Sequence, residues 1–379
     1  MSDLPPLDAA SLPIGVRARH IDAVNGLRMH VLEAGYDGAQ RPLVLLLHGF
    51  PELAYSWRKM MLPLAAAGFH VVAPDQRGYG RTIGWSNAYD QDLRPFSMLS
   101  LARDALALVR ALGHARVHTV IGHDFGSPVA AWCALVRPDV FGAVVLMSAP
   151  FAGAPPLTAQ PTAASPDIAA ALAALPRPRK HYHWYYATRA ANADMQSAPQ
   201  GVHDFLRAYF HHKSAEWAPN KPYKLVDWSA GQLAQMPTYY IMDQSATMAA
   251  TVAPFMPDAA SIAQCRWLPD RELAVYADAY TRTGFQGGLN WYRTRFDDAL
   301  NAELSLFSGK SIDVPSMFVA GASDWGVQQA PGAYERMQSD VCTKMSGCHL
   351  VDGAGHWVMQ EQPEATARLL VDFCSTAAR

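Results

Sequence analysis

Along the first 150 residues the apolar positions switch repeatedly between two periods. Leu27, Met29 and Val31 alternate with Arg28 and His30 directly after Asn25-Gly26, a pair suited to a tight turn, and predict a hairpin. Leu43-Val44-Leu45-Leu46-Leu47 is instead an unbroken apolar run, the mark of a strand covered on both faces. Val71-Val72-Ala73 and residues 143–147 repeat that run, and residues 117–121 do so less purely. Between the runs the period is helical. In residues 100–112, Leu101, Ala105, Leu108, Val109 and Leu112 share one face, Ser100 can cap the start and Gly113 stops the helix. Strand–helix alternation of this kind predicts a mostly parallel sheet flanked by helices.

The alternation breaks after Pro150. Residues 151–300 are rich in Ala, Pro, Tyr, Trp and Met, with helical stretches at 201–212 and 272–280 and no clear buried strand. Strand signals return at 316–320 and at Leu350-Val351, and a last helix is expected over 363–374. The expected organisation is therefore an α/β core in two parts, 1–150 and 301–379, with a mainly helical cap, 151–300, inserted before the last strands. The Ala/Pro-rich segment 155–178 is expected to be a mobile entry into the insertion, and residues 1–13 a loose arm. No repeat of solenoid length is present.

Composition narrows the function classes. Of 379 residues, 50% are hydrophobic and 17% charged, which excludes general disorder. The formal net charge of −2 gives no basic surplus for nucleic acid or an acidic membrane, so the expected partner is a small uncharged molecule. Five cysteines do not make a disulfide scaffold; Cys342 and Cys348 are close enough in sequence to pair, but free thiols are expected. There is no C-x-x-C or H-E-x-x-H spacing for a metal. No charged segment leads into an apolar run at the N-terminus, and no apolar stretch nears the ~18 residues of a spanning helix, so a soluble cytoplasmic protein is expected.

The chemistry concentrates in three places. Gly122-His123-Asp124-Phe125-Gly126 follows the run 117–121 and precedes a helix ending near Arg137-Pro138. Strand, sharp turn and helix make a nucleophile elbow, here with Asp where an esterase has Ser. The glycines allow the turn without a Cβ clash. The turn raises the central side chain at a helix N-terminus, where free N–H groups favour an ionised carboxylate. Such a carboxylate can attack an electrophilic carbon and form an ester; the plainer reading is a helix N-cap. Upstream, His48-Gly49-Phe50-Pro51 follows the run ending at Leu47. A loop there can aim the N–H of Phe50 at the elbow, beside that of Phe125, as a pair of oxyanion donors. Downstream, Asp324 follows the 316–320 strand and Gly355-His356-Trp357 follows a short strand and a glycine-bearing turn. Nucleophile, acid, histidine is the chain order of an α/β-hydrolase triad, with His356 as general base on water and Asp324 holding its tautomer. No G-x-S-x-G occurs, which disfavours serine-based acyl transfer.

These motifs, His48-Gly49-Phe50-Pro51-Glu52, Arg77-Gly78-Tyr79-Gly80, Gly122 to Gly126 and Gly355-His356-Trp357, recur in the epoxide hydrolases of the α/β-hydrolase superfamily, which the chain resembles from about Arg17 onward. The most specific likeness is Gly288-Leu289-Asn290-Trp291-Tyr292-Arg293, similar to that family's second cap-tyrosine motif. His181-Tyr182-His183-Trp184-Tyr185-Tyr186 is similar to the segment carrying the first; the role goes to Tyr182, with Tyr185 and Tyr186 close by. The resemblance implies that Asp124 opens the ring, that Tyr182 and Tyr292 donate to its oxygen, and that Pro51, Trp184 and Trp357 line the substrate pocket. It implies a small apolar epoxide and water as partners, no metal or organic cofactor, and no nucleic acid or membrane; a homo-oligomer is left open.

Two rivals share the frame. A haloalkane dehalogenase usually places Trp after the nucleophile and Asn after the H-G pair, where side-chain N–H groups bind halide; Phe125 and Phe50 offer none. Fluoride-releasing relatives carry an Arg in the elbow helix, and Phe125-Gly126-Ser127-Pro128 has none. A non-catalytic binder on the same fold is the third reading. The aromatic segment 214–264, with Trp217, Tyr223, Trp228, Tyr239, Tyr240 and Phe255, could roof a large apolar pocket or build a subunit contact.

Overall fold

The computed structural model describes residues 4–37, 41–157 and 167–377. Its main sheet has eight strands: β1 (Arg17–Val24), β2 (Leu27–Ala34), β3 (Leu43–Leu47), β4 (His70–Pro74), β5 (Thr119–His123), β6 (Val144–Met147), and, after the insertion, β9 (Ser316–Gly321) and β10 (Met345–Val351). Their order is β1-β2-β4-β3-β5-β6-β9-β10. The β1–β2 hairpin and the β2–β4 pair are antiparallel, and every pair from β4 onward is parallel. All five residues of β3 are buried, as an unbroken Leu/Val run between two helical layers requires.

The register aligns the ends that matter. Leu47 pairs with Gly122, His123 with Met147, Met147 with Val319, and Gly321 with Val351. The loops leaving β3, β5, β9 and β10 therefore open along one edge of the sheet, beyond the carboxyl ends of the strands, where an open α/β sheet carries its site. These are the loops that hold Phe50, Asp124, Asp324 and His356.

Several local expectations shift. The strand expected at 117–121 lies at Thr119–His123, because Gly122 and His123 continue the ladder into the motif while Val117 makes only an isolated bridge to Phe141. The helix expected from Ser100 starts at Met98, with Ser97 as its cap: the Ser97 hydroxyl accepts the N–H of Ser100. The N-terminal arm is tied down from Leu7 onward. Asp8 caps a short turn of helix, Leu12 is buried, and the N–H of Leu7 bonds His30 Nε2 at 3.2 Å. All five cysteines are free thiols.

Between β6 and β9 the chain leaves the sheet and is mostly helical, but it also contains a two-stranded antiparallel ribbon, β7 (Arg179–His181) with β8 (Ile241–Asp243). The expectation of no clear buried strand there is corrected by these short, mostly buried strands. A three-residue strand reading Arg-Lys-His carries no period to detect. Of the segment 155–178, residues 158–166 lie outside the described residues, and the remainder includes the helix Ile168–Ala173. Trp217 and Phe255 pack on the His212 ring, and Tyr239 and Tyr240 are buried, so the aromatic stretch chiefly fills the insertion's own interior.

The helix Gln286–Arg293 seats the insertion on the core. A Cβ on Gly287 would fall 1.9 Å from the carbonyl oxygen of Gly78, and one on Gly288 would fall 2.6 Å from the Phe50 ring. Only glycines permit this approach. Trp291 Nε1 donates to the carbonyl of Arg77 at 3.0 Å and fixes the helix's rotation. Among the described residues no helix is long and apolar enough to cross a membrane.

Candidate active site

Asp124 occupies the turn between β5 and the helix Gly126–Val136 with φ +51°, a left-handed conformation that L-residues adopt at a cost. The turn survives because its neighbours leave no alternative. A Cβ on Gly122 would lie 2.0 Å from the carbonyl oxygen of Gly126, and one on Gly126 would lie 2.2 Å from that of Leu47. Asp124 Oδ1 accepts the N–H of Phe50 at 2.9 Å, and Oδ2 faces His356 Nε2 at 3.1 Å. On the other side of that imidazole, Nδ1 lies 3.1 and 3.2 Å from the two oxygens of Asp324. Asp324 Oδ1 also accepts the N–H of Gly326 at 2.7 Å, which locks the acid in place.

Electrostatics follow from this chain of contacts. Burial alone would raise the Asp124 carboxyl, but the hydrogen bond and charge of His356 outweigh it and hold the group well below the usual carboxylate range. For His356, burial and the nearby Lys213 favour the neutral ring, while Asp324 and Asp124 favour the cation, and the net direction is upward. Both shifts favour the carboxylate–imidazolium form of this pair.

The tyrosines face the carboxylate across a cavity of ≈ 600 Å³ lined by Asp124, Phe125, Tyr182, Trp184, Tyr292 and others. The Tyr292 ring stands edge-on to Phe125 at 4.9 Å between centroids and to Phe50 at 5.6 Å. Of the three candidates in the first tyrosine segment, only Tyr182 lines the cavity, its hydroxyl donating to Gln329 at 3.2 Å. Tyr185 turns away to Asp194 (3.1 Å), and Tyr186 bonds Tyr209 (3.4 Å). Burial, then the Asp124 charge, pushes the phenols of Tyr182 and Tyr292 well above the usual value, so both are neutral donors.

The expected pocket wall needs correction. Trp184 lines the cavity, whereas Pro51 and Trp357 stand off it. Trp357 is fully buried, its indole N–H donated to the carbonyl of Phe210 at 2.8 Å and its ring against Phe210. A Trp next to the histidine reads as lining only until the strand end turns it into the core. From the segment 214–264 only Trp228 reaches the cavity.

Four residues join the site that motif reading did not assign. Glu52 Oε2 accepts the N–H of Gly49 (2.9 Å) and bonds His123 Nδ1 (2.7 Å), while His123 Nε2 meets the carbonyl of His356 at 2.7 Å. Glu52 and His123 thereby tie three loops together. Both lie inside the quoted motifs, so their presence there was the available signal. Glu361 accepts N–H groups of Gly355 (3.0 Å), Trp357 (3.0 Å) and Ala215 (2.8 Å) and so clamps the histidine loop; burial pushes its carboxyl up to about 7 against those donors. Lys213 is buried beneath the triad, its ammonium 5.0–5.8 Å from the ring centres of Tyr209, Tyr239, Tyr240 and Trp357, and its carbonyl accepts the N–H of His356. No local pattern marks either residue. Among the described residues no group of three or more His, Cys, Asp or Glu could hold a metal.

Comparison with known proteins places the chain in a family. The α/β-hydrolase fold family matches residues 42–363. Epoxide hydrolase A of Mycobacterium tuberculosis is 32% identical over 82% of this chain and 84% of its own, and epoxide hydrolase 3 of Siraitia grosvenorii is 29% identical over 86% and 91%. Among solved structures, an epoxide hydrolase from an endophytic Streptomyces superposes with a TM-score of 0.76 at 31% identity, covering 96% of each chain. Potato epoxide hydrolase I does so at 0.71 and 30% identity, covering 95% of this chain and 99% of that one. The chain belongs to the epoxide hydrolases of the α/β-hydrolase superfamily.

Proposed function

We propose that this enzyme hydrolyses its epoxide in two steps, through a covalent hydroxyalkyl ester on Asp124. The observation that carries the reading is a carboxylate with one oxygen bound to a backbone N–H and the other on the His356 imidazole, lining one cavity with two neutral phenols. In the first step Asp124 Oδ2 attacks a ring carbon and the C–O bond of the ring breaks. Tyr182 and Tyr292 bind the leaving oxygen and supply its proton, since an alkoxide is a poor leaving group in water. Oδ1 becomes the ester carbonyl, already held by the N–H of Phe50, with that of Phe125 as the second donor.

The second step uses what the first removes. Once Asp124 is esterified it carries no charge, and one of the influences raising the His356 pKa disappears. The imidazolium gives up its Nε2 proton, which through solvent restores the phenol that lost one in the first step, and the free lone pair takes a proton from water as that water attacks the ester carbonyl. Asp324, on Nδ1, holds the ring in the productive tautomer. The ester bond breaks, the vicinal diol leaves, and over the cycle one epoxide and one water are consumed. The segment between β6 and β9 acts as the cap that brings the tyrosines over the core. The reaction needs no cofactor in this scheme.

The test is intact-protein mass of a His356→Gln variant mixed with aryl and alkyl epoxides. A gain of one whole epoxide, mapped to Asp124 and missing in the Asp124→Ala/His356→Gln double variant, is expected. A gain only from alkyl halides, with halogen lost, would reassign the enzyme as a dehalogenase. No adduct at Asp124 from any epoxide that the wild type converts to diol would overturn the covalent mechanism.

A further inference from the structure

The cavity's charges are few and unevenly placed. Among the described residues lining it, Asp124 is the only carboxylate and Arg295 the only lysine or arginine. Asp124 is matched by His356. Arg295 makes no ion pair with any described residue, and its neighbour Asp297 is occupied in capping the next helix, accepting the N–H groups of Ala299 and Leu300. Residues 158–166, outside the described part, carry no acidic side chain.

Its position is specific. Arg295 follows Tyr292 by three residues, on the turn Thr294–Phe296 that extends the Gln286–Arg293 helix, and residues three apart share a face with Cβ atoms about 5–6 Å apart. Both side chains line the cavity. Although Arg295 stands at the exposed rim, its guanidinium leans inward, 5.9 Å from the centre of the Phe125 ring that follows the nucleophile. Its charge reaches the cavity's histidines. Burial and then Arg295 lower His181 to about 3 and His183 well below the usual value, which leaves both as neutral hydrogen-bonding groups. The remaining wall is largely apolar, with Met98, Trp132, Phe151, Trp184, Leu300 and Leu304. A guanidinium with no ion pair among the described residues, at the rim of a largely apolar cavity, is a ready partner for one planar anion.

We propose that the substrate class is an epoxy acid, with its carboxylate a few bonds from the ring and held by Arg295, the ring oxygen under Tyr182 and Tyr292, and the apolar remainder along the Trp132–Phe151 wall. This rests on the ring-opening roles given above to Asp124 and the tyrosines. It differs from the uncharged partner expected from the chain's near-zero net charge, because a net charge averages over a surface and says nothing of one rim. The carboxylate takes no part in the chemistry; it orients which ring carbon meets Asp124 Oδ2.

The test compares a phenylglycidate with its primary amide, a neutral analogue of nearly the same shape, each normalised to styrene oxide turnover by the same protein. An Arg–carboxylate contact at a partly open rim predicts that Arg295→Gln lowers the acid-over-amide ratio of kcat/KM by about tenfold, mostly through KM. Arg295→Lys should recover part of it, since a point charge remains but the bidentate fork is lost. A ratio that Arg295→Gln leaves within about twofold of wild type, with styrene oxide still hydrolysed, overturns the proposal and leaves the mechanism standing. Failure of wild type to hydrolyse styrene oxide, phenylglycidate and amide alike would count against the mechanism as well as the proposal.

Discussion

On the floor of the cavity, Asp124 is held by backbone: a carbonyl 2.0 Å from where a Gly122 Cβ would be, another 2.2 Å from a Gly126 Cβ, and the Phe50 N–H on its carboxylate. On the roof, Tyr292 is held by rings, with Phe125 and Tyr186 both at 4.9 Å and Phe50 at 5.6 Å. The floor has one solution, because backbone atoms cannot move without breaking the sheet ladder. The roof is a packing of aromatic faces that tolerates neighbours of the same kind, and its precision comes from the glycine contact between Gly78 and Gly287 beneath it. The proposed nucleophile, rigid, and the proposed acid, docked, are thus two kinds of construction meeting over one cavity.

The sharpest way to break the roof is chemical. Tyr292→Phe keeps the ring contacts and deletes only the donor, so kcat for epoxide hydrolysis should fall roughly 10²–10⁴-fold, the range for loss of a positioned acid. Tyr186→Phe should stay within a few-fold of wild type, because that hydroxyl serves Tyr209. Equal losses in steady-state kinetics would sink the distinction between lining and packing tyrosines.

A mechanical break comes next. Gly287→Ala puts a methyl 1.9 Å from the Gly78 carbonyl and must lift the tyrosine helix. A cost of about 1–3 kcal/mol in urea unfolding is expected, together with a drop in kcat. Gly231→Ala, in the short helix Ala230–Leu233 where a Cβ meets nothing within 4 Å, is the control that should leave kcat unchanged and cost no stability. If both glycines respond alike, the seat of the roof lies elsewhere.

The smallest effect concerns the floor's charge. Lys213 faces the carboxylates of Asp124, Asp324 and Glu52, and its own charge disfavours the His356 imidazolium. In Lys213→Met that opposition is gone, so the His356 pKa rises. The neutral base then becomes available only at higher pH, and the acid limb of the kcat profile should move up, by less than about one unit. A pH–rate profile with an unchanged or downward-shifted limb contradicts this.

Much of the floor was legible because its determinants are local. The elbow needs small residues at fixed offsets from Asp124, and the buried run Leu43–Leu47 announces its strand without any partner. The displaced strand at Thr119–His123 shows the limit even there: Gly122 hides a ladder position that only its neighbours in β3 and β6 reveal. Legibility fell on the roof. Three tyrosines within five residues look alike in sequence, and the three-residue strands of the ribbon have too short a run for any period to show. Trp357, adjacent to His356, points into the core because of where Phe210 offers a carbonyl, a fact set by a helix 147 residues away.

By itself the sequence determined the class of fold and put forward Asp124, Asp324 and His356 as candidate nucleophile, acid and base, because each depends on backbone sterics and short-range periodicity. Only the tertiary structure decided that Tyr185 and Tyr186 turn away from the cavity that Tyr182 lines, that Glu361 and Lys213 support His356, and that Arg295 stands at the rim with no ion pair among the described residues. Those outcomes depend on which distant atoms share a few cubic ångströms, and burial, pairing and orientation exist only once the chain has packed.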